Sequence, residues 1–297
     1  MRPAGHGPFA GPHFAKRGEG RLLSPREFDF NDADFEALRA LVKSLTGIYL
    51  GDQKRELIYG RLSRRLRTLG LASFREYRQR LAENADELVQ LINAITTNLT
   101  SFFREHHHFD YLRDEVLKPL VAAPPANRRI RIWSAGCSSG EEPYSIAMTV
   151  IEAIPDLSRW DVRILATDLD SDVLARASAG LYARERMKGV APGQLLRVFD
   201  ERRDRGAAGF RVKPEVAALV TFRQLNLTQR LPMKGPLDVI FCRNTVIYFD
   251  KDTQRDLFAR MAVLQRPTDV LVLGHSESLF RVSDDYTLIG RTIYRRH

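Results

Sequence analysis

The chain has 297 residues, 44% of them hydrophobic, which is apolar material enough for two modest domains or one large domain with a satellite. Lys and Arg number 46 against 37 Asp and Glu, a formal net charge of +9; the excess favours an anionic partner (nucleic acid, acidic membrane or acidic protein surface) without choosing among them. Two cysteines outside any C-x-x-C pair, Cys137 and Cys242, argue against a disulfide framework or zinc site. No run approaches the ~18 apolar residues that span a bilayer, and the Gly- and Pro-rich start lacks a signal peptide's apolar core, so the expectation is a cytoplasmic protein with a flexible leader over 1–23.

From 24 to 95 the periodicity is helical. Phe35, Leu38, Leu41 and Val42 recur at three- and four-residue steps, as do Ile58, Leu62, Leu66 and Leu69, then Leu88, Leu91, Ile92 and Ile95, with Gly47 and Gly70 as punctuation. This predicts a small all-helical N-terminal domain. In Thr96-Thr97-Asn98-Leu99-Thr100-Ser101 the hydroxyl and amide side chains compete with the backbone, which predicts an irregular interdomain segment. A further helical pattern from Phe102 to Leu120 completes a connector over 96–128.

After Pro124-Pro125 strands alternate with helices: strand 129–135, helix 142–154, strand 162–167, helix 171–178. Such alternation predicts a parallel sheet with crossover helices. A basic, polar stretch from Tyr182, containing Phe210-Arg211-Val212, predicts a small inserted antiparallel β-subdomain over about 182–225. The sheet pattern resumes with strand 239–242, helix 253–264, strand 270–273 and an extended run over 286–294, so 129–297 reads as an open α/β domain carrying an insertion.

The first strand runs into Ser134-Ala135-Gly136-Cys137-Ser138-Ser139-Gly140, whose small residues let the backbone approach a ligand at the carboxyl end of a strand. There is no G-x-G-x-x-G, and a helix opening on Glu141-Glu142 would repel a pyrophosphate, so a ligand without phosphate fits better. Asp168, at the end of the second strand, stands where a carboxylate accepts hydrogen bonds from ribose hydroxyls. Each piece has a plain structural explanation, glycine for turning and Asp170 with Ser171 for capping the next helix. Their order around one sheet edge favours a nucleoside-type site.

Three motifs, Asn98-Leu99-Thr100-Ser101-Phe102-Phe103-Arg104-Glu105, Ser139-Gly140-Glu141-Glu142-Pro143-Tyr144-Ser145 and Phe241-Cys242-Arg243-Asn244, resemble the chemotaxis receptor methyltransferases, the CheR family, and the likeness runs from about 35 to 295. The resemblance implies a Rossmann-like S-adenosylmethionine-dependent methyltransferase domain. It implies methyl transfer to glutamate side chains on the cytoplasmic methylation helices of bacterial chemoreceptors, giving glutamyl methyl esters and S-adenosylhomocysteine in chemotactic adaptation. Carried over by position, cofactor contacts fall on Asn98, Thr100, Arg104, Gly136, Glu142, Asp168, Asn226, Leu227, Arg243 and Asn244, and the active-site pair on Arg104 and Tyr248. Without the resemblance, Tyr248 would be a core aromatic with a surface hydroxyl, Arg104 a salt-bridge partner of Glu105 or Asp110, and Asn98, Thr100, Asn226 and Asn244 local caps or turns. Some family members also bind a receptor C-terminal peptide by strand addition to the small subdomain, and 206–212 lies in the matching region.

A glutamate side chain titrates near ~4.3, so at neutral pH it is already an anionic nucleophile and needs no strong base. Its attack on a sulfonium methyl neutralises two charges, and the exclusion of water and in-line placement supply much of the rate. Arg104 and Tyr248 are therefore expected to orient rather than to move a proton. Glu142 could meet the sulfonium or the α-ammonium of the cofactor, or could complement the start of its helix. Arg64 and Arg67 leave the apolar stripe of their helix, with Arg61 flanking it, and the three are expected to dock the acidic receptor helix, against the plainer reading of a solvated face. His106-His107-His108 point in different directions on a helix and make no metal site. Two rivals remain, a nucleic-acid methyltransferase and a non-catalytic scaffold for receptor or S-adenosylmethionine. The first is weakened because the chain lacks the Asp/Asn-Pro-Pro-Tyr/Phe segment and because Phe241, rather than proline, precedes Cys242.

Overall fold

The protein was analysed as a computed structural model, which describes residues 26–204 and 207–297; the leader read over 1–23, and Gly206 of the strand-addition region, lie outside the described residues. Four helices come first, α1 (Asp32–Thr46), α2 (Arg55–Leu69), α3 (Phe74–Glu83) and α4 (Ala85–Ile95). The side chains of Asn31, Ser73 and Asn84 accept from backbone N–H groups of the first turns of α1, α3 and α4, and α2 stops at Gly70 in the left-handed region. The stripes close on one another: Phe35, Leu38, Val42, Ile58, Leu62 and Leu66 are all buried with Phe74, Tyr77 and Leu91, while Leu41 and Leu69 pack at the margin. One buried charge, Glu87, is held by both nitrogens of the Arg65 fork at 2.8 and 2.6 Å and by the Tyr77 hydroxyl at 3.0 Å.

The stretch 96–101 is irregular, as its hydroxyl and amide side chains predict, and the irregularity continues to 106, where a helix was expected from Phe102. The helix beyond it starts only at α5 (His107–Tyr111), because Phe103 and Glu105 take positive φ. It then widens to a π-helix over Leu112–Leu117 before α6 (Lys118–Ala122).

The second domain follows as β1 (Arg129–Ala135), α7 (Glu141–Ala153), β2 (Asp161–Asp168), α8 (Ser171–Ala179), β3 (Leu181–Ala183), α9 (Pro192–Val198), β4 (Phe199–Asp204), β5 (Ala207–Val212), α10 (Pro214–Ala217), β6 (Val220–Gln224), β7 (Val239–Cys242), α11 (Lys251–Val263), β8 (Val270–Leu273), β9 (Tyr286–Gly290) and β10 (Ile293–Arg296). Seven strands form one sheet in the order β6-β2-β1-β7-β8-β10-β9, parallel from β6 to β8 and antiparallel through β10 and β9. The central strands β7 and β8 are buried on both faces, as a sheet covered by helices on both sides requires.

Two boundaries differ from expectation. Val220–Gln224 is not part of the insertion, since it pairs in parallel with β2 from Ile164↔Val220 to Asp168↔Gln224 and forms the sheet edge. The insertion is the three-stranded sheet β3-β5-β4, which ends before it. The run over 286–294 is a hairpin broken at Thr292, whose φ is 56°.

The topology places a crevice. From β1 the chain continues to β2 on one side and β7 is its neighbour on the other, so the loops diverge at the carboxyl end of β1, where open α/β sheets bind ligands. The helical domain depends on its own core. Leu62→Ala, at a site with 0% exposure, is expected to cost about 2–5 kcal/mol, read as a lower urea midpoint.

Candidate active site

At that crevice lies a cleft of ≈ 1020 Å³, open to solvent and lined from both domains. Its floor is the loops after β1, β2, β6 and β7. Its other walls are residues 95–100 and 104 of the interdomain segment and, from the helical domain, Thr46, Ile48 and Lys54. Asn98, Thr100, Arg104, Gly136, Glu142, Asp168, Asn226, Leu227, Arg243, Asn244 and Tyr248 all line this one cleft. They come from five stretches of chain.

The glycine loop turns because Gly136 and Gly140 take φ of 94° and 96°, and a Cβ on Gly136 would run into Thr245 Oγ1. Asp168 accepts from Ser138 N at 2.7 Å and Asp170 N at 3.0 Å, and burial pushes its carboxyl above the usual range. Asp170 has the capping role foreseen for it, accepting from Asp172 N and Val173 N at the start of α8. Its second oxygen accepts from Thr96 Oγ1 and Asn98 Nδ2, each at 2.7 Å, which ties the interdomain segment to the sheet edge. Asn226 makes both a local turn, accepting from Thr228, and an interdomain bond, donating to Leu45 O at 2.7 Å.

Arg243 is the centre of the charge arrangement. Its guanidinium, nearly buried, donates to Glu142 Oε2 at 2.8 Å and to the carbonyl of Arg104, and lies 3.3 Å from Glu105. Glu142 also accepts from Ser134 Oγ at 2.7 Å, so it enters the cleft as half of an ion pair rather than as a lone carboxylate. Arg104 donates to its own Leu99 O at 2.9 Å and extends along the wall. Tyr248 is half-buried under Lys54, whose Nζ stands 4.4 Å from the ring centroid.

The sequence reading missed Glu277. This buried carboxylate accepts from Gly274 N, Asn244 N, Thr245 N and Val246 N at 2.7–2.9 Å, and so shapes the loop that carries Asn244, at φ 56°, and Tyr248. Nothing local marks it, since Gly274-His275-Ser276-Glu277 reads as a loop after a strand. Lys54 was missed because 52–67 reads as a helix whose charged side faces solvent.

The basic face of α2 needs correction at Arg61. Its guanidinium donates to Ala94 O at 3.1 Å and Thr96 O at 2.6 Å, closing the end of α4 at the domain joint. Arg67 pairs with Glu27 at 3.0 Å, and Arg64 is exposed. The three histidines do not all diverge: His106 lies 2.9 Å from Asp110 Oδ2, but the rings of His107 and buried His108 stand 4.1 Å apart with their Nε2 atoms 3.4 and 3.2 Å from the same Arg291 O, and His108 is also 3.1 Å from Thr292 Oγ1.

The description "CheR methyltransferase, SAM binding domain" matches residues 98–295, and "CheR methyltransferase, all-alpha domain" matches 33–96. The chain belongs to the CheR methyltransferase family. It is 43% identical over 261 residues to a probable chemotaxis protein methyltransferase of Rhizobium etli, covering 86% of this chain and 96% of that protein. It is also 43% identical over 274 residues to chemotaxis protein methyltransferase 2 of Pseudomonas aeruginosa (92% and 96%), and 41% identical over 268 residues to the chemotaxis protein methyltransferase of Escherichia coli (89% and 91%). The CheR chain is therefore an S-adenosylmethionine-dependent methyltransferase with a Rossmann-like domain, a small inserted sheet and an all-helical N-terminal domain. Among the described residues no helix is long and apolar enough to cross a membrane.

The buried charges set an acid limit. Burial, with Arg243 and His107 nearby, lowers the His108 imidazole from 6.5 to about 3. Burial opposes ionisation of Glu105, but the His275 hydrogen bond and the Arg243 charge outweigh it and hold the carboxyl at about 2. Both folded-state values lie below the unfolded ones, so the unfolded chain binds more protons and stability is lost as pH falls, through His108 below about 6.5 and through Glu105 below about 4.5. The thermal midpoint is expected to drop steadily from pH 7 to pH 4, and His108→Gln, which cannot take up that proton, is expected to make the decline shallower.

Proposed function

We propose that this CheR enzyme methylates glutamate side chains on the cytoplasmic helices of a chemoreceptor, with Arg104 and Tyr248 as the residues that orient the reacting carboxylate. The observation that carries the reading is the gathering of a ribose-type acid, a neutralised Glu142–Arg243 pair and the Arg104 and Tyr248 donors in one cleft between two domains. That donor set suits S-adenosylmethionine. The cleft presents a carboxylate, Asp168, at the ribose position, and the helix that starts beside it opens on Glu141 and Glu142, which would repel a phosphate. The cofactor, when bound, supplies an electrophilic methyl group on a sulfonium sulfur.

Asp168 holds the ribose hydroxyls, and Asn98, Thr100, Asn226 and Leu227 frame the nucleoside. Arg243 fixes Glu142 in an ion pair, so one carboxylate edge faces the amino-acid tail without a mobile countercharge. Gly136 and Asn244 let the backbone come close. Arg104 and Tyr248 donate to the incoming carboxylate, hold one oxygen toward the methyl group and need not remove a proton, because a free glutamate is ionised at neutral pH. The two-domain wall excludes water, which otherwise stabilises the separated charges more than the transition state.

The methylation helix docks on α2 through Arg64 and the surrounding basic surface rather than through Arg61, which serves the domain joint. A receptor C-terminal peptide would have to pair with β4 or β3, the edges of the inserted sheet, because β5 is paired on both sides. Reaction with cytoplasmic receptor helices puts the enzyme in the cytoplasm.

Labelled methyl from S-adenosylmethionine is expected to enter receptor membranes, to be released by mild base and to map to glutamate; incorporation into nucleic acid instead, or cofactor binding without incorporation, would overturn the reading. Tyr248→Phe and Arg104→Ala are expected to lower kcat roughly 10²-fold, while calorimetry with S-adenosylhomocysteine shows a smaller change for Tyr248→Phe; unchanged turnover in both would refute the orienting role. Arg64→Glu is expected to raise the receptor KM roughly three- to tenfold at low salt, with the difference shrinking as salt is added.

A further inference from the structure

Two consecutive glutamates open α7, and they face opposite ways. Glu142 lines the cleft. Glu141 is fully buried on the other side, where Oε2 accepts from Ser139 Oγ at 2.7 Å and Oε1 meets the guanidinium of Arg186, a residue of the inserted subdomain. The same Arg186 Nη2 lies 3.4 Å from Ser139 Oγ and 3.3 Å from the carbonyl of Thr100. Four residues earlier, Tyr182 donates to Ser139 O at 2.8 Å and packs edge-on against Phe102, ring centroids 4.9 Å apart. The fit is flush: a Cβ on Gly140 would lie 2.7 Å from the Tyr182 hydroxyl. The glycine loop, the first turn of α7 and the Thr100-to-Phe102 stretch thus all rest on the insertion.

We infer that Arg186 and Tyr182 are positioning residues for the methyl donor, acting on S-adenosylmethionine affinity through Ser139, Glu141 and Thr100 without touching the cofactor. The inference rests on the reading of the cleft as the cofactor site. A buried carboxylate is tolerated only when paired, and Arg186 is the cation that pairs Glu141. Without that partner Glu141 draws in water or swings outward, taking with it Ser139 and the turn that shapes the cleft floor. Reach matters as well as charge, because one nitrogen, Nη2, at the tip of the long side chain faces three acceptors on two separate chain segments.

The test uses the full chain, S-adenosylhomocysteine calorimetry and steady-state methylation of receptor membranes. Arg186→Ala is expected to raise both the S-adenosylhomocysteine Kd and the S-adenosylmethionine KM about tenfold, with receptor KM within twofold of the parent. Tyr182→Phe is expected to move the same two constants in the same direction. Arg186→Lys is expected to recover part of the loss, since it restores the charge on a shorter side chain, and it carries the test should the alanine variant not fold. In a Glu141→Gln background, where no buried charge needs pairing, Arg186→Ala is expected to lose most of its effect. A parent that binds with Arg186→Ala and Tyr182→Phe both within twofold of it, or a rise in receptor KM equal to that in S-adenosylmethionine KM, would overturn the inference. A parent that fails to bind S-adenosylhomocysteine would overturn the cofactor reading instead.

Discussion

The structure depends on how one nearly buried arginine is neutralised. Arg243, at the end of β7, joins Glu142 at the start of α7 to Glu105 and the Arg104 carbonyl on the interdomain segment. A guanidinium with so little exposure is sustainable only with charged partners on several sides. The same contacts bring three chain segments to one place. Glu105 in turn lies 2.8 Å from His275 Nδ1 and 3.4 Å from His108, so the chain of polar contacts runs from the cleft floor to the loop after β8. A site that must hold a cation beside an incoming anion gains from such fixed charge, because its dipoles need not reorganise when the reactants meet.

The helical domain is part of the site rather than an appendage. Its contact with the sheet runs through directional bonds: Arg61 to the Ala94 and Thr96 carbonyls, Asp170 to Thr96 and Asn98, Asn226 to the Leu45 carbonyl, and Tyr49 N to the Tyr248 carbonyl. Hydroxyl and amide side chains in 96–98, poor for a helix, are what such a joint needs. The joint also explains why Lys54, which the sequence leaves on the solvent-facing charged side of a helix, covers the Tyr248 ring.

Viewed from α7, the cofactor loop is braced on two sides. Glu142 faces Arg243 and the reaction, and Glu141 faces the insertion. Helix starts favour acidic residues in general. Here each of the two has a separate partner, so the pair clamps the glycine loop instead of merely complementing the helix dipole.

Much of the architecture was legible locally. The apolar stripes of α1, α2 and α4, the strand and helix alternation from β1 onward and the glycine loop follow from spacing and residue size, which act over a few positions. So does the reading of Asp170 as a cap. The strand Val220–Gln224 was misassigned to the insertion because pairing partners are invisible in one dimension, and the bond from Ile164 N to the Leu219 carbonyl that leads it beside β2 crosses 55 residues of chain. Tertiary structure alone decided the charge partners: Arg243 and Glu142 are 101 residues apart, Arg186 and Glu141 45, and Glu277 lies 33 beyond Asn244. By itself the sequence determined which residues could line a nucleoside site; which arginine neutralises which carboxylate, and so which charges remain to meet the substrate, was settled only when folding removed those groups from water and left each one the partners within reach.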